Sequence, residues 1–224
     1  MQFTLVYRED LAAFKSLADQ MFRDRRLQFV ERHGWELEID AAGRELDQYD
    51  RENPLYLIVS DEAGRHLGST RLMPTTGPTM ISDVFSHLTD DVEISSPTVW
   101  ECTRFAISRE ATRRVAPAIM WAGCALALRS GVSHYVSVTG THLIRVFKAS
   151  GWEPEIFGRA DSPEGEICAC FWEVNEEVCD RLRRRAGLPE DTPAPHVFLP
   201  PPAAAPAPRR RAGDDLTEEL SLAA

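Results

Sequence analysis

The chain has no run of about 18 consecutive apolar residues. Its first residues, MQFTLVYRED, lack the basic stretch and apolar run of a secretory leader. Neither a membrane span nor an export signal is expected, and the reading is a cytoplasmic protein. Cysteine is sparse: there are five, an odd number at irregular spacing, which argues for reduced thiols and against a disulfide framework. Cys168 and Cys170 share a strand face, yet no second pair and no nearby histidine stand at zinc spacing, so no metal is expected. Basic charge is also short. Lys and Arg number 25 against 35 Asp and Glu, a formal charge of −10, and without a basic excess no nucleic-acid partner is expected. No G-x-x-x-x-G-K-[ST] loop, dinucleotide fingerprint or Q/R-x-x-G-x-G/A loop occurs, and the last absence disfavours an ordinary acetyltransferase.

What is present is one domain's worth of patterned chain. Spacing predicts a long amphipathic helix over 9–33, with Leu11, Phe14, Leu17, Met21 and Phe22 on its apolar side. Residues 36–54 are polar and irregular. YLIVS (56–60) and HLGSTRLM (66–73) read as a hairpin joined by DEAGR, and TVWECTRFAI (98–107) as the next strand. A helix over 117–130 ends at Gly131, YVSVT (135–139) is a short buried strand, and THLIRVFKAS is a helix stopped by Gly151. ICACFWEV (167–174) is a strand, and Asn175 caps a charged helix that runs to Ala186. The alternation defines a mixed α/β sandwich. Eight of the 15 prolines fall between 189 and 208. The domain is therefore bounded at 1–187, with 188–224 expected as a disordered Pro/Ala-rich tail.

Candidate functional residues begin in MFRDRRLQFVERHGW (21–35). Arg25, Phe29 and Arg32 recur at i, i+4 and i+7, Gly34 stops the helix, and Trp35 follows. A guanidinium beside two aromatic rings suits a ligand that combines a cation, an adenine-like ring and a carboxylate; a packed helix end is the plainer alternative. Downstream stand Asp47 and Asp50 in RELDQYD, Arg71 in GSTRLMP, and Glu101, Thr103, Arg104 and Phe105 in WECTRF. Two basic patches, Arg145 with Lys148 and the run Arg181, Arg183, Arg184 and Arg185, relieve the acidity locally.

In that order and spacing, these residues resemble the acyl-homoserine lactone synthases of the LuxI type, over about residues 5–175. Cys102 stands where small residues are usual and Thr103 where many members carry Ser; small volume and hydroxyl are kept. The resemblance implies a GNAT-like three-layer αβα sandwich around a mixed, V-split twisted sheet. It implies an acyltransferase that takes S-adenosylmethionine as an amine substrate, with an acyl thioester on acyl carrier protein or coenzyme A as donor. Lactonisation then expels methylthioadenosine. No cofactor beyond these two substrates is implied.

By the resemblance, the catalytic set is Glu101, Arg71, Asp47, Asp50 and Thr103, and the substrate-binding set is Arg25, Phe29, Arg32, Trp35, Arg104 and Phe105. Ser137 and Thr139 fall at the acyl pocket, expected between the sheet and the 117–130 helix, and Arg145 and Lys148 at the docking surface for the carrier. The chemistry of the residues agrees. The attacking amine must lose a proton, and Glu101 on a central strand is the candidate base. The aspartates and Arg71 suit a charge-assisted network that orders the N-terminal segment, or a plain loop anchor. Strand alternation puts Glu101, Thr103 and Phe105 on one face and Arg104 on the other unless a bulge intervenes. A GNAT-like acyltransferase of another amine and a non-catalytic ligand-sensing module are the competing readings.

Overall fold

The structure, a computed structural model, describes residues 1–163 and 165–200. Seven strands form one sheet: β1 (Gln2–Tyr7), β2 (Leu55–Ser60), β3 (His66–Pro74), β4 (Val99–Ile107), β5 (His134–Gly140), β6 (Glu155–Ser162) and β7 (Gly165–Glu173), in the spatial order β1-β2-β3-β4-β5-β7-β6. Every neighbouring pair is antiparallel except β4 and β5, which run parallel. That pair bonds only over Val99–Glu101 against His134–Val136 and then parts, which makes the V-shaped split. The helices are α1 (Lys15–Arg26), α2 (Met80–Asp83), α3 (Val115–Ser130), α4 (Ile144–Ser150) and α5 (Glu176–Ala186).

Two layers cover the sheet. On one face α3 and α5 enclose the main core, with Leu55, Leu57, Leu72, Tyr135, Cys168, Cys170 and Trp172 pointing into it. Thirteen residues of α3, Val115 to Ala127, are nearly all buried, so this helix is apolar all round and sits inside the molecule. On the other face α1 packs Ala18, Met21 and Phe22 against Val6, Tyr56 and Ile58. Beside it Ile81 and Leu88 cover Val136 and Ala169. The three-layer mixed α/β architecture is the one expected.

Three local features differ from the sequence reading. The helix over 9–33 is three windings: 3₁₀ over Arg8–Phe14, α over Lys15–Arg26 and π over Leu27–Arg32. Strands β1 and β6 were not foreseen. The second is a half-exposed edge without alternation, and it bulges between Ile156 and Gly158, where a Cβ on Gly158 would collide with the Leu88 carbonyl. The boundary at Leu188 also moves. The Phe198 amide donates to Leu5 O at 2.7 Å, Val197 forms a parallel bridge with Leu5, and the Phe198 ring meets Phe14 edge-on at 5.0 Å. Arg129 on α3 donates to the Ala194 carbonyl and to His196 Nδ1. Residues 188–199 are thus a strap along the outer edge of β1, because apolar Val197 and Phe198 interrupt the proline-rich composition. The rest of the expected tail, 201–224, lies outside the described residues.

Relative to a chain ending at Leu199, truncation after Leu188 should cost about 2 kcal/mol through lost apolar burial, read as a lower unfolding midpoint in urea. Equal midpoints would show that the strap contributes nothing.

Candidate functional site

On α1 the buried stripe that carries Ala18, Met21 and Phe22 reaches Arg25 one turn later. A guanidinium therefore occupies a core position, 1 % exposed, and must be paired there. Its Nε donates to Glu45 at 2.5 Å, and its two terminal nitrogens donate to the two oxygens of Asp50 at 3.0 Å each. Glu45 also accepts from Arg104 Nε at 3.1 Å. Arg104 meets Asp47 at 2.8 Å, Asp47 pairs with Arg71 through both oxygens, and Arg71 lies 3.2 Å from Asp50. The sequence Arg25–Glu45–Arg104–Asp47–Arg71–Asp50 therefore closes on itself, a ring of three cations alternating with three anions. Asp47 and Asp50 additionally form a reciprocal capping box on the turn Gln48–Arg51, and Tyr56 donates its hydroxyl to Asp50 at 2.7 Å.

Two ring members sit on the sheet. Arg71 on β3 donates through Nε to Thr103 Oγ1 at 2.9 Å. Opposite it β4 bulges: Arg71 pairs with Thr103 but Ser69 with Ala106, so Arg104 and Phe105 together face Thr70. Arg104 takes φ +52°, left-handed backbone that costs a non-glycine residue about 1–2 kcal/mol. The bulge reverses the expected facing. Arg104 joins Glu101 and Thr103 on the α1–α2 face, whereas Phe105 turns to the α3–α4 face and meets Phe147 at 5.7 Å.

Glu101 is 1 % exposed and accepts from the first amides of α2, Met80 at 3.1 Å and Ile81 at 2.7 Å. Met80 returns toward the ring, its Sδ near Arg71 and Arg104. Each carboxylate oxygen of Glu101 keeps one lone pair beyond these bonds. Burial pushes the Glu101 carboxyl above its ordinary value, against the downward pull of the Ile81 and Met80 amides and of Arg71. Burial acts the same way on Asp50, but the charges of Arg25 and Arg71 outweigh it and hold Asp50 well below the usual carboxylate range. For Arg71, burial works against the charge, and Asp47 and Asp50 more than compensate. Arg104 goes the other way: burial and its cationic neighbours lower it despite Glu45 and Asp47.

The aromatic pair stands over this floor. Gly34 takes φ +74°, so the chain turns and Trp35 stacks on Phe29 at 5.1 Å and 11°. Arg104 lies 5.7 Å from the Phe29 ring centre. The π winding rotates Arg32 off the Arg25–Phe29 face, and it ends exposed, beside Asp24, Gln28 and Arg109. Arg32 is thus outside the cluster. Arg25, expected beside a ligand carboxylate, is spent on Glu45 and Asp50. Glu45 was not foreseen, although RELDQYD carries it two residues before Asp47; an acidic residue in a polar loop gives no sign that it will be fully buried.

On the opposite face Ser137 accepts the Trp172 indole N–H at 2.8 Å, and Thr139 is half-buried further along β5. Both stand on the α3–α4 side, with Phe105. Arg145 and Lys148 are exposed on α4, and Lys148 pairs with Glu153 at 2.8 Å. Among the described residues no cluster of potential metal ligands occurs, and no helix is long and apolar enough to cross a membrane.

A mixed sheet splayed between two parallel strands is the GNAT-like class of fold. An acyl-CoA N-acyltransferase from Pseudomonas aeruginosa, 12 % identical, shares that fold with a TM-score of 0.51 over 76 % of this chain and 99 % of its own. Within the class, the chain belongs to the autoinducer synthase family, whose profile matches residues 10–182. An acyl-homoserine-lactone synthase of Rhizobium etli is 36 % identical over 172 residues, 74 % of this chain and 81 % of the relative. An isovaleryl-homoserine lactone synthase of Bradyrhizobium diazoefficiens is 31 % identical over 181 residues, 79 % and 81 % of the two chains. The CoA-dependent acyl-homoserine lactone synthase BjaI, solved with S-adenosylmethionine and isopentyl-CoA, is 27 % identical with a TM-score of 0.74, covering 88 % of this chain and 96 % of its own.

Replacing Arg25 by Met should destabilise the fold by about 3–5 kcal/mol, since two buried carboxylates lose their partner; chemical denaturation measures it. Asp50 has a folded pKa below the 3.8 of a free carboxyl. Its contribution is therefore complete above about pH 4 and lost as pH falls toward the folded value. Asp50→Asn should flatten the acid limb of the stability–pH curve, and an unchanged limb would exclude Asp50 as its source.

Proposed function

We propose that the protein acylates the α-amine of S-adenosylmethionine with the acyl group of a thioester and then closes the lactone. The observation that carries this reading is Glu101: a buried carboxylate of raised pKa, at the vertex of the split sheet, between the Phe29–Trp35 side and the Phe105–Ser137 side.

The roles follow from position. Trp35 and Phe29 enclose the adenosyl and sulfonium side, where aromatic faces attract a cation. Arg104 has Nε and one terminal nitrogen on protein carboxylates, and its Nη1 faces the Met80 sulfur. That nitrogen is the donor for the methionyl carboxylate. Glu101, directly or through one water, takes the proton of the ammonium group. The freed amine attacks the thioester carbon; the N–C bond forms, the C–S bond breaks, and the thiolate leaves with a proton. The methionyl carboxylate then attacks its own γ-carbon, closing the lactone as the C–S⁺ bond breaks and methylthioadenosine departs. No electron transfer occurs, so the chemistry calls for no redox cofactor. Arg71, Asp47, Asp50 and Thr103 position Arg104 and the loop without touching the reacting atoms.

Coenzyme A as the acyl carrier is supported by the likeness to CoA-dependent relatives. Arg145 and Lys148 are the surface on which an acidic carrier protein would dock, although Glu153 partly neutralises Lys148.

The test is methylthioadenosine release that depends on both S-adenosylmethionine and an acyl thioester; acylated product without methylthioadenosine would refute the reading. Glu101→Gln should lower kcat about a hundredfold or more while S-adenosylmethionine still binds by calorimetry. In the wild type, activity should fall as pH drops through a Glu101 pKa above the ordinary 4.5, because the base must be deprotonated. Turnover unaffected by the substitution would remove Glu101 from the proton transfer.

A further inference from the structure

At the end of the sheet where β1 and β3 finish and β2 and β4 start, a cleft of about 230 Å³ lies between Tyr7, Pro54, Met73, Pro74 and Trp100. We infer that this cleft is the seat of the chain's own proline-rich segment, Pro201–Pro206, which follows directly on the strap along β1. This role is independent of the acyl transfer proposed above.

Both rims of the cleft are tied down. On the near side the Arg8 amide donates to the Pro54 carbonyl at 3.0 Å, and the Glu9 amide donates to Asn53 Oδ1 at 2.9 Å. Asn53 holds φ +50°, left-handed backbone that asparagine adopts more readily than most residues. On the far side Thr75 Oγ1 donates to the Val99 carbonyl at 2.8 Å, which fixes the end of β3 to the start of β4. A cleft with fixed walls needs little reorganisation when it is filled.

The lining selects the kind of occupant. A volume of about 230 Å³ falls below the roughly 300–1,000 Å³ of a drug-sized ligand site. Among the described residues, Glu52 carries the one charge on the lining, and a negative charge offers nothing to a phosphate or a carboxylate. Two aromatic residues and two prolines remain, the kind of surface on which extended proline-rich chains dock. Proline and alanine side chains lose almost no rotamer entropy on burial, so PPAAAP (201–206) is a low-cost occupant.

The strap delivers that segment to the cleft. Val197 bridges Leu5 in parallel, and the Phe198 amide donates to Leu5 O. Continued in that register, Leu199 comes level with Tyr7, which is part of the wall. The strap ends there with Leu199 81 % exposed, and the prolines come next. The four strand ends from β1 to β4 lie across about 14 Å, a width that about five residues of polyproline II cover. Because Phe198 is anchored, the segment meets the cleft at an effective concentration of about a millimolar, and a weak contact suffices to fill it.

The experiment incorporates fluorotryptophan into the full-length protein and follows the fluorine resonance of Trp100, assigned with Trp100→Phe. A chain ending at Leu199 should show that resonance displaced, with those of the buried Trp121, Trp152 and Trp172 in place. A synthetic peptide of residues 200–208 added to the shortened chain should return it toward the full-length position, with a dissociation constant of about a millimolar or below. The full-length protein, its cleft already filled, should not respond to the peptide. Pro201→Ser combined with Pro202→Ser in the full chain should reproduce most of the displacement.

The same Trp100 resonance in the full-length and shortened chains overturns the inference. So does a serine variant that keeps the full-length resonance. A full-length resonance that moves with protein concentration overturns it as well, because the cleft would then hold the segment of a second copy. None of these outcomes touches methylthioadenosine release, so the synthase reading stands or falls separately.

Discussion

The closed ring of Arg25, Glu45, Arg104, Asp47, Arg71 and Asp50 is the constraint on which the site depends. Burying a charge costs several kcal/mol even after relaxation, and a single buried pair rarely repays it. In a ring every ion has an opposite charge on both sides, and the six sum to zero. Each link adds attraction without adding a new unpaired group. The arrangement also explains what the ring holds: its members come from α1, the irregular segment before β2, β3 and β4. An otherwise polar, weakly packed loop is thereby fixed to the sheet by electrostatics where apolar contacts are few.

The bulge at Arg104 joins this network to the chemistry. A regular β4 would send Arg104 away from Glu45 and Asp47 and leave both carboxylates short of a partner. The left-handed backbone at Arg104 costs about 1–2 kcal/mol, and two charge-assisted bonds offset it. The same irregularity sends Phe105 to the other face. Adjacent residues thus face opposite sides of the sheet, Arg104 toward Glu45 and Asp47 and Phe105 toward Phe147.

Much of this was legible in the sequence, and the failures have physical causes. Arg25, Phe29, Trp35, Asp47, Asp50, Arg71 and Glu101 were grouped by the resemblance to the lactone synthases; spacing alone set Arg25 and Phe29 on one helix face and could not link them to the downstream carboxylates. The hairpin and the helices at 117–130 and 175–186 followed from periodicity and capping. Three things were hidden. Arg32 was misplaced because nothing in LQFVER distinguishes π from α winding, and the wider turn moved it off the face. Glu45 gave no signal because burial of a loop carboxylate depends on partners distant in sequence. Val197 and Phe198 were masked by the prolines around them, though two apolar residues suffice to lay a strap along an unpaired edge.

Glu101 is where these constraints meet. It is the last residue of β4 bonded to β5, paired with Val136, and past it the strands lack mutual hydrogen bonds and must separate. The point at which the sheet opens is therefore fixed to the residue that holds the carboxylate. Glu101 in turn accepts the first two amides of α2, so α2 is seated by the same carboxylate, and Met80 at its start reaches Arg71 and Arg104. Moving Glu101 would shift the vertex, the short helix and the ring together. For the transfer proposed above, a carboxylate held by the strand pairing and by the α2 amides stays within reach of an amine on one face and a thioester carbon arriving through the split, the geometry that transfer between two separately bound substrates requires.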